Sequence, residues 1–238
     1  MLISRNTKLI DIINYNYRIL PVFNRFAIYT GFGDKTVIQV CEEKNINLNL
    51  FLNIINAFLD KNYKPLINYE DYNINEIITY LKQAHQDYLV ELKKIEKLLI
   101  QVIENCCVKK QKEVHLINDF FFSYKKDLIE HINFEDKEFF PYCLNLENKY
   151  NKNIFEINTF IDLDYYKNEH LNIENKIIDL KSILVKYLPI DKPTEFLNNL
   201  IFEIYDFEND LFNHQSIEEK LLLNKIEFIL KKFKINKK

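Results

Sequence analysis

Two apolar stretches of this 238-residue chain repeat one pattern, a histidine followed four residues later by a glutamate: EHINFE, with His131 and Glu135, and NHQSIE, with His214 and Glu218. On a helix, positions i and i+4 stack on one face about 6 Å apart, so each imidazole and its carboxylate point the same way. Such a pair is a surface ion pair, a satisfied core pair, or two ligands of one metal. Two further histidines, His85 and His170, sit in the same register as the leucines and isoleucines around them. Taken singly, each reads first as a satisfied core residue. Four of the chain's five histidines aligned with apolar stripes, one per stripe, are harder to read that way. Burying four imidazoles and two carboxylates without partners would cost several kcal/mol. A metal centre removes that cost. Imidazole and carboxylate without thiolate suit iron or manganese and leave zinc open. Two glutamates among four histidines point to two metals bridged by both carboxylates. The ferritin-like plan uses Glu-x-x-His, and the order here is different.

These residues need four helices to position them. The first stripe runs Ile74, Ile78, Leu81, His85, Tyr88, Leu92, Ile95, Leu99, Val102, and the second Ile117, Phe121, Tyr124, Leu128, His131, Glu135. The third runs Leu163, Tyr166, His170, Ile173, Ile177, Leu180, Leu184, and the fourth Leu200, Ile204, Phe207, Leu211, His214, Glu218, Leu222. Alternating steps of three and four mark amphipathic helices, and four in succession predict an up-down four-helix bundle over 74–238. Pro141, in FFPYC, is expected to kink or end the second helix. Residues 1–62 read as a small domain of short helices, one of them capped by Asp34. The polar stretch 63–73, with Pro65, reads as a linker. Only two glycines occur, in TGFGDK. With no strand before it, GFG reads as a tight turn rather than a phosphate loop. The fold class is therefore all-α.

The order H…HxxxE…H…HxxxE, filled by His85, His131/Glu135, His170 and His214/Glu218, resembles the haemerythrin-like cation-binding domain. EHINFEDKEFFP and NHQSIEEKLLL are similar to its two HxxxE helices. RFAIYTGFGDKTVIQVCEEKNIN resembles the small N-terminal domain of the di-iron proteins that repair iron–sulfur clusters, the RIC, YtfE and ScdA family. The resemblance implies two iron ions per chain in an oxo- or hydroxo-bridged centre. His85, His131, His170 and His214 would be terminal ligands, and Glu135 and Glu218 the bridges. It also implies damaged iron–sulfur proteins or a scaffold as clients, and nitric oxide, oxygen or peroxide as small-molecule partners. Many members carry adjacent cysteines where this chain reads Thr30-Gly31-Phe32-Gly33, so thiol chemistry of that pair is not expected. Cys41 matches a later cysteine of the pattern and reads equally well as a small buried hydrophobe. Cys106 and Cys107 do not align with the missing pair.

Other carboxylates near the pattern carry less. Asp127 and Glu169 adjoin ligand positions and read first as solvated helix surface, second as groups that orient an imidazole or relay protons. Glu174 repeats the four-residue spacing after His170, but the stripe passes through Ile173, so Glu174 stays outside the ligand set. His115 lies off its stripe. Hydrophobic residues make up 47% of the chain and aromatics 14%, the composition of a folded protein. A net charge of -3 gives no global basic footprint for nucleic acid. The four cysteines form no CxxC. Neither an export signal nor a membrane-length apolar run is evident, so a cytoplasmic protein is expected. The pattern leaves room for a homodimer.

Overall fold

The computed structural model describes residues 2–65, 72–106, 111–154, 156, 161–190, 192 and 195–236. Much of the expected linker (66–71) and Cys107 therefore lie outside the described residues. Short helices come first: α1 (Leu9–Tyr15), a 3₁₀ turn (Tyr17–Ile19), α2 (Leu20–Arg25), α3 (Val37–Lys44) and α4 (Leu48–Leu59). The long helices follow as α5 (Ile74–Cys106), α6 (Gln111–Phe134), α7 (Phe140–Asn151), α8 (Leu163–Tyr187), α9 (Glu195–Ile217) and α10 (Asn224–Asn236). No strand occurs among the described residues, and the protein is all-α. No helix among them is long and apolar enough to cross a membrane.

The chain divides into two compact units. One comprises Met1–Ala84, Tyr142–Asn158 and Asn213–Lys238, the other His85–Pro141 and Thr159–Phe212. In the first, α1 to α4 bury Leu9, Ile12, Val22, Phe23, Phe51 and Ile54 completely. The glycine turn is confirmed: Gly31 and Gly33 have φ of 96° and 64°, a region that favours glycine. The cap of α3 is Thr36, not Asp34. A short antiparallel bridge between Lys8 and Thr36 holds Thr36 extended, so the helix starts at Val37. Gln39 Oε1 then accepts the Thr36 N–H at 2.9 Å, while Asp34 pairs with Lys8 at 3.0 Å. Cys41 is buried, and that burial, with Glu42 adding to it, pushes its thiol up to about 12. It is a protonated core residue, not a nucleophile.

In the same unit, Glu147 of α7 accepts the Ile74 N–H with both oxygens, at 3.0 and 2.9 Å, and so caps the start of α5. The Lys225 ammonium lies 2.8 Å from Glu147 and also donates to the Tyr72 carbonyl. Both side chains are about nine-tenths buried or more. Removing one member of a buried pair strands the other, at a cost of roughly 3–5 kcal/mol. Glu147→Gln is therefore expected to lower the midpoint of thermal unfolding by roughly 10 °C. A shift within error would show that Lys225 escapes to water.

The second unit is a ring of four helices. Ion pairs link successive neighbours: Lys125–Glu96 at 2.6 Å (α6 to α5), Lys176–Asp127 at 2.5 Å (α8 to α6), Lys181–Glu208 at 2.5 Å (α8 to α9) and Lys94–Glu203 at 2.5 Å (α5 to α9). Their order fixes direction. Residue 85 pairs with 136 while 96 pairs with 125, so α5 and α6 run antiparallel. Likewise 170 meets 135 and 176 meets 127, and 88 meets 210 while 94 meets 203. The bundle is up-down-up-down. The three more exposed pairs, those of Lys125, Lys176 and Lys94, contribute only about 0–1 kcal/mol each, so they set register more than stability. Stability comes from the stripes inside: Leu92, Ile95, Leu99, Phe121, Tyr124, Leu128, Ile177, Leu180, Leu184, Leu200, Ile204 and Phe207 are all buried. Leu163 and Ile173 are only half-buried.

Pro141 does not end the second helix. The five residues before Phe140, Glu135–Phe139, form a π-helical turn, and the Phe140 N–H bonds to the Glu135 carbonyl. A proline in an α-helix clashes with the carbonyl four residues back, here that of Lys137. Here the turn before the proline is π-helical, and helical backbone continues into α7. A second π turn, Glu218–Leu223, begins at the other HxxxE glutamate.

Candidate metal centre

Glu135 is the hub of the four-helix unit. It leaves α6 at the first residue of the π turn, with its side chain only 1% exposed. His85 Nε2 from α5 lies 3.0 Å from Glu135 Oε2. His131 Nε2, one turn earlier on α6, is 3.0 Å from Oε1, and His170 Nε2 of α8 is 3.1 Å from the same oxygen. Three imidazoles on three helices thus turn the same ring nitrogen toward one buried carboxylate. The ligand atoms of His131, Glu135 and His170 all lie within 4.8 Å of one another. Burial favours the neutral acid, but the His131 charge and hydrogen bonds from His131, His170 and His85 outweigh it and hold the Glu135 carboxyl well below its usual range.

Two residues missed by the sequence reading orient this group. Asp136 Oδ1 is 3.0 Å from His85 Nδ1, the ring nitrogen that points away from Glu135. A carboxylate there fixes the tautomer and makes the other nitrogen a better donor. Burial pulls the His85 pKa down, but its hydrogen bonds to Asp136 and Glu135 and their charges raise it to about 9. α-Helical spacing turns Asp136 a full step off the ligand face. It meets His85 across the α5–α6 pair instead, a partner that the stripe spacing does not mark. The second residue, Tyr166, counts by spacing alone as core. Its hydroxyl donates to Glu135 Oε1 at 2.6 Å. A tyrosine one turn before a candidate ligand histidine was the available signal.

The two phenylalanines that close the π turn wall the group in. Phe139 stacks on Tyr166 with ring centroids 4.0 Å apart, and Phe140 stacks nearly parallel on His85 at 5.5 Å. The open side lies between α6 and α8. A cavity of about 510 Å³ there is lined by His131, Tyr166, Asp127, Glu130, Glu169 and Lys176, among others. His131 is the most exposed of the three imidazoles, at 11%. Asp127, at the cavity rim, is paired with Lys176. Asp127, Glu169 and Glu174 all stand outside the ligand group.

His214 and Glu218 belong to the other compact unit. Both are buried, with His214 Nε2 4.0 Å from Glu218 Oε2. Their backbone repeats the arrangement at His131 and Glu135, an α-helical histidine followed by a glutamate that opens a π turn. His115 is 81% exposed beside Asp119, as its place off the stripe implies.

The fold and this site define a class: an all-helical protein whose buried histidine and glutamate side chains could hold a metal ion. No protein-family model matches the chain. The donor set fits a metal on its own chemistry, because nitrogen and oxygen donors converge in a buried, aromatic-walled space without thiolate.

Proposed function

We propose that the chain is a cytoplasmic non-haem di-iron protein that restores iron–sulfur clusters damaged by nitrosative or oxidative stress. One observation carries the reading: three imidazole Nε2 atoms meet the two oxygens of buried Glu135 at 3.0–3.1 Å. A carboxylate that faces histidines through both oxygens would suit a bridging role. His85, His131, His170 and Glu135 would hold iron, with His214 and Glu218 completing the set. Iron bound there would supply redox capacity toward nitric oxide or oxygen species, or be given up to an incomplete cluster. The protein's own groups hold the His85 imidazole in one tautomer, through Asp136, and exclude water on the side walled by Phe139 and Phe140.

The cavity beside His131 favours a reactive centre over a reversible oxygen carrier, which needs a dry pocket. Acidic Asp127, Glu130 and Glu169 line it, and such groups relay protons rather than protect a bound gas. Iron analysis and an optical spectrum of protein purified without oxygen test the metal: two irons per chain are expected. The reduced protein is then expected to restore activity to a nitrosylated iron–sulfur enzyme, and His170→Ala to do so poorly. One zinc per chain, or no metal after iron reconstitution, overturns the metal assignment. Binding and release of oxygen with full recovery of the reduced spectrum, and no cluster repair, makes it a binding module instead.

A further inference from the structure

The two oxygens of Glu135 stand in unlike surroundings. Oε1 faces His131 and His170 and accepts the Tyr166 hydroxyl at 2.6 Å. Oε2 faces His85, whose far nitrogen is held by Asp136 at 3.0 Å. The helper groups act in opposite directions. A hydrogen bond donated to a carboxylate oxygen occupies one lone pair and withdraws density from the other, which makes it a poorer metal donor. A carboxylate on the far nitrogen of an imidazole makes the near nitrogen a better one. Tyr166 is well fixed for this role. Its ring is 1% exposed, stacked on Phe139 and edge-on to His170 at 4.4 Å.

We propose that Tyr166 is a positioning residue that makes the two metal positions unequal: the ion on the Oε1 side, with His131 and His170, is held more weakly than the ion on the Oε2 side, with His85. The weakly held ion also lies on the side of the cavity that His131 and Tyr166 line, so the exchangeable position and the open side coincide. This inference rests on the di-metal reading above. Its consequence is stepwise loading: the chain takes one ion first, at Oε2, and exchanges the second without emptying the site.

Cobalt(II) titration of the metal-free protein, followed by its visible absorption, reads the two steps separately. Wild-type protein is expected to bind in two resolved steps. Tyr166→Phe keeps the ring and its stacking and removes only the hydroxyl. It is expected to tighten the second step by about tenfold and leave the first unchanged. Asp136→Asn is expected to weaken the first step by about tenfold or more and spare the second. Circular dichroism of the metal-free variants establishes that each is folded, and Asp136→Asn decides the asymmetry alone should Tyr166→Phe not fold. Two steps in the wild type that neither variant moves, or that both variants move alike, overturn the asymmetry while leaving the di-metal reading intact. No cobalt bound to the wild type overturns both.

Discussion

Glu135→Ala is expected to purify almost free of metal, while His115→Ala keeps the wild-type content. Replacing a residue that merely orients a ligand typically costs 10–100-fold in affinity. Glu135 meets three candidate ligands directly, so at least about a hundredfold loss is expected. The metal-free protein should suffer as well. In it the carboxylate accepts hydrogen bonds from His131, His170 and His85. Its loss takes that acceptor from His131 and His170, and an unsatisfied buried polar group costs roughly 1–3 kcal/mol. The metal content is the sharper readout. Glu218→Ala is expected to lose metal in the same direction. Metal analysis of the three variants, purified side by side, checks this. Wild-type metal in Glu135→Ala would end the bridging assignment, whatever happens to stability.

Much of this protein was legible because its helices keep a strict spacing. Every residue of the first stripe, from Ile74 through His85 to Val102, is buried. His85 could be placed because Leu81 and Tyr88, one turn away on either side, constrain the same face. Legibility stopped where the backbone leaves α-helical geometry. Sequence patterns assume 3.6 residues per turn, and the π turn at Glu135 breaks that assumption at the site itself. Asp136 stands a full step off the ligand stripe, so the pattern does not mark it, and Pro141, expected to kink or end its helix, follows a π turn after which helical backbone continues. Tyr166 escaped for a different reason. Spacing reports where a ring is buried but not what its hydroxyl meets, and only the position of Glu135 across the helix pair supplies that. The α3 cap is a third kind of miss. Asp34 and Thr36 are both good capping residues, and the choice between them was made by the distant Lys8, through a bridge that no local pattern records.

The metal-free and metal-loaded proteins are expected to respond differently to alkali. In the metal-free protein His85 titrates at about 9, raised from 6.5 by Asp136 and Glu135 against the effect of burial. A group whose folded pKa is raised contributes stability that is fully present below its unfolded value. That contribution is lost as pH climbs to the folded value. The metal-free protein should therefore lose about 3 kcal/mol between pH 6.5 and 9 from this residue. Glu135 adds nothing in that window. Its pKa is lowered, so its contribution is present throughout and disappears only in acid. Metal changes the balance, because an imidazole must be neutral to be a ligand. Below about pH 9 the incoming ion displaces the His85 proton, so affinity should rise by about tenfold per pH unit from 6.5 upward. The loaded protein then has no His85 proton left to lose, and its stability stays level as far as this residue is concerned. Thermal unfolding at pH 6.5 and pH 9, with and without metal, should show the two midpoints moving apart. Asp136→Asn removes one partner of the His85 proton, so the metal-free curve of that variant should flatten. Parallel curves in the wild type, or an unchanged slope in Asp136→Asn, would mean that another group binds the proton.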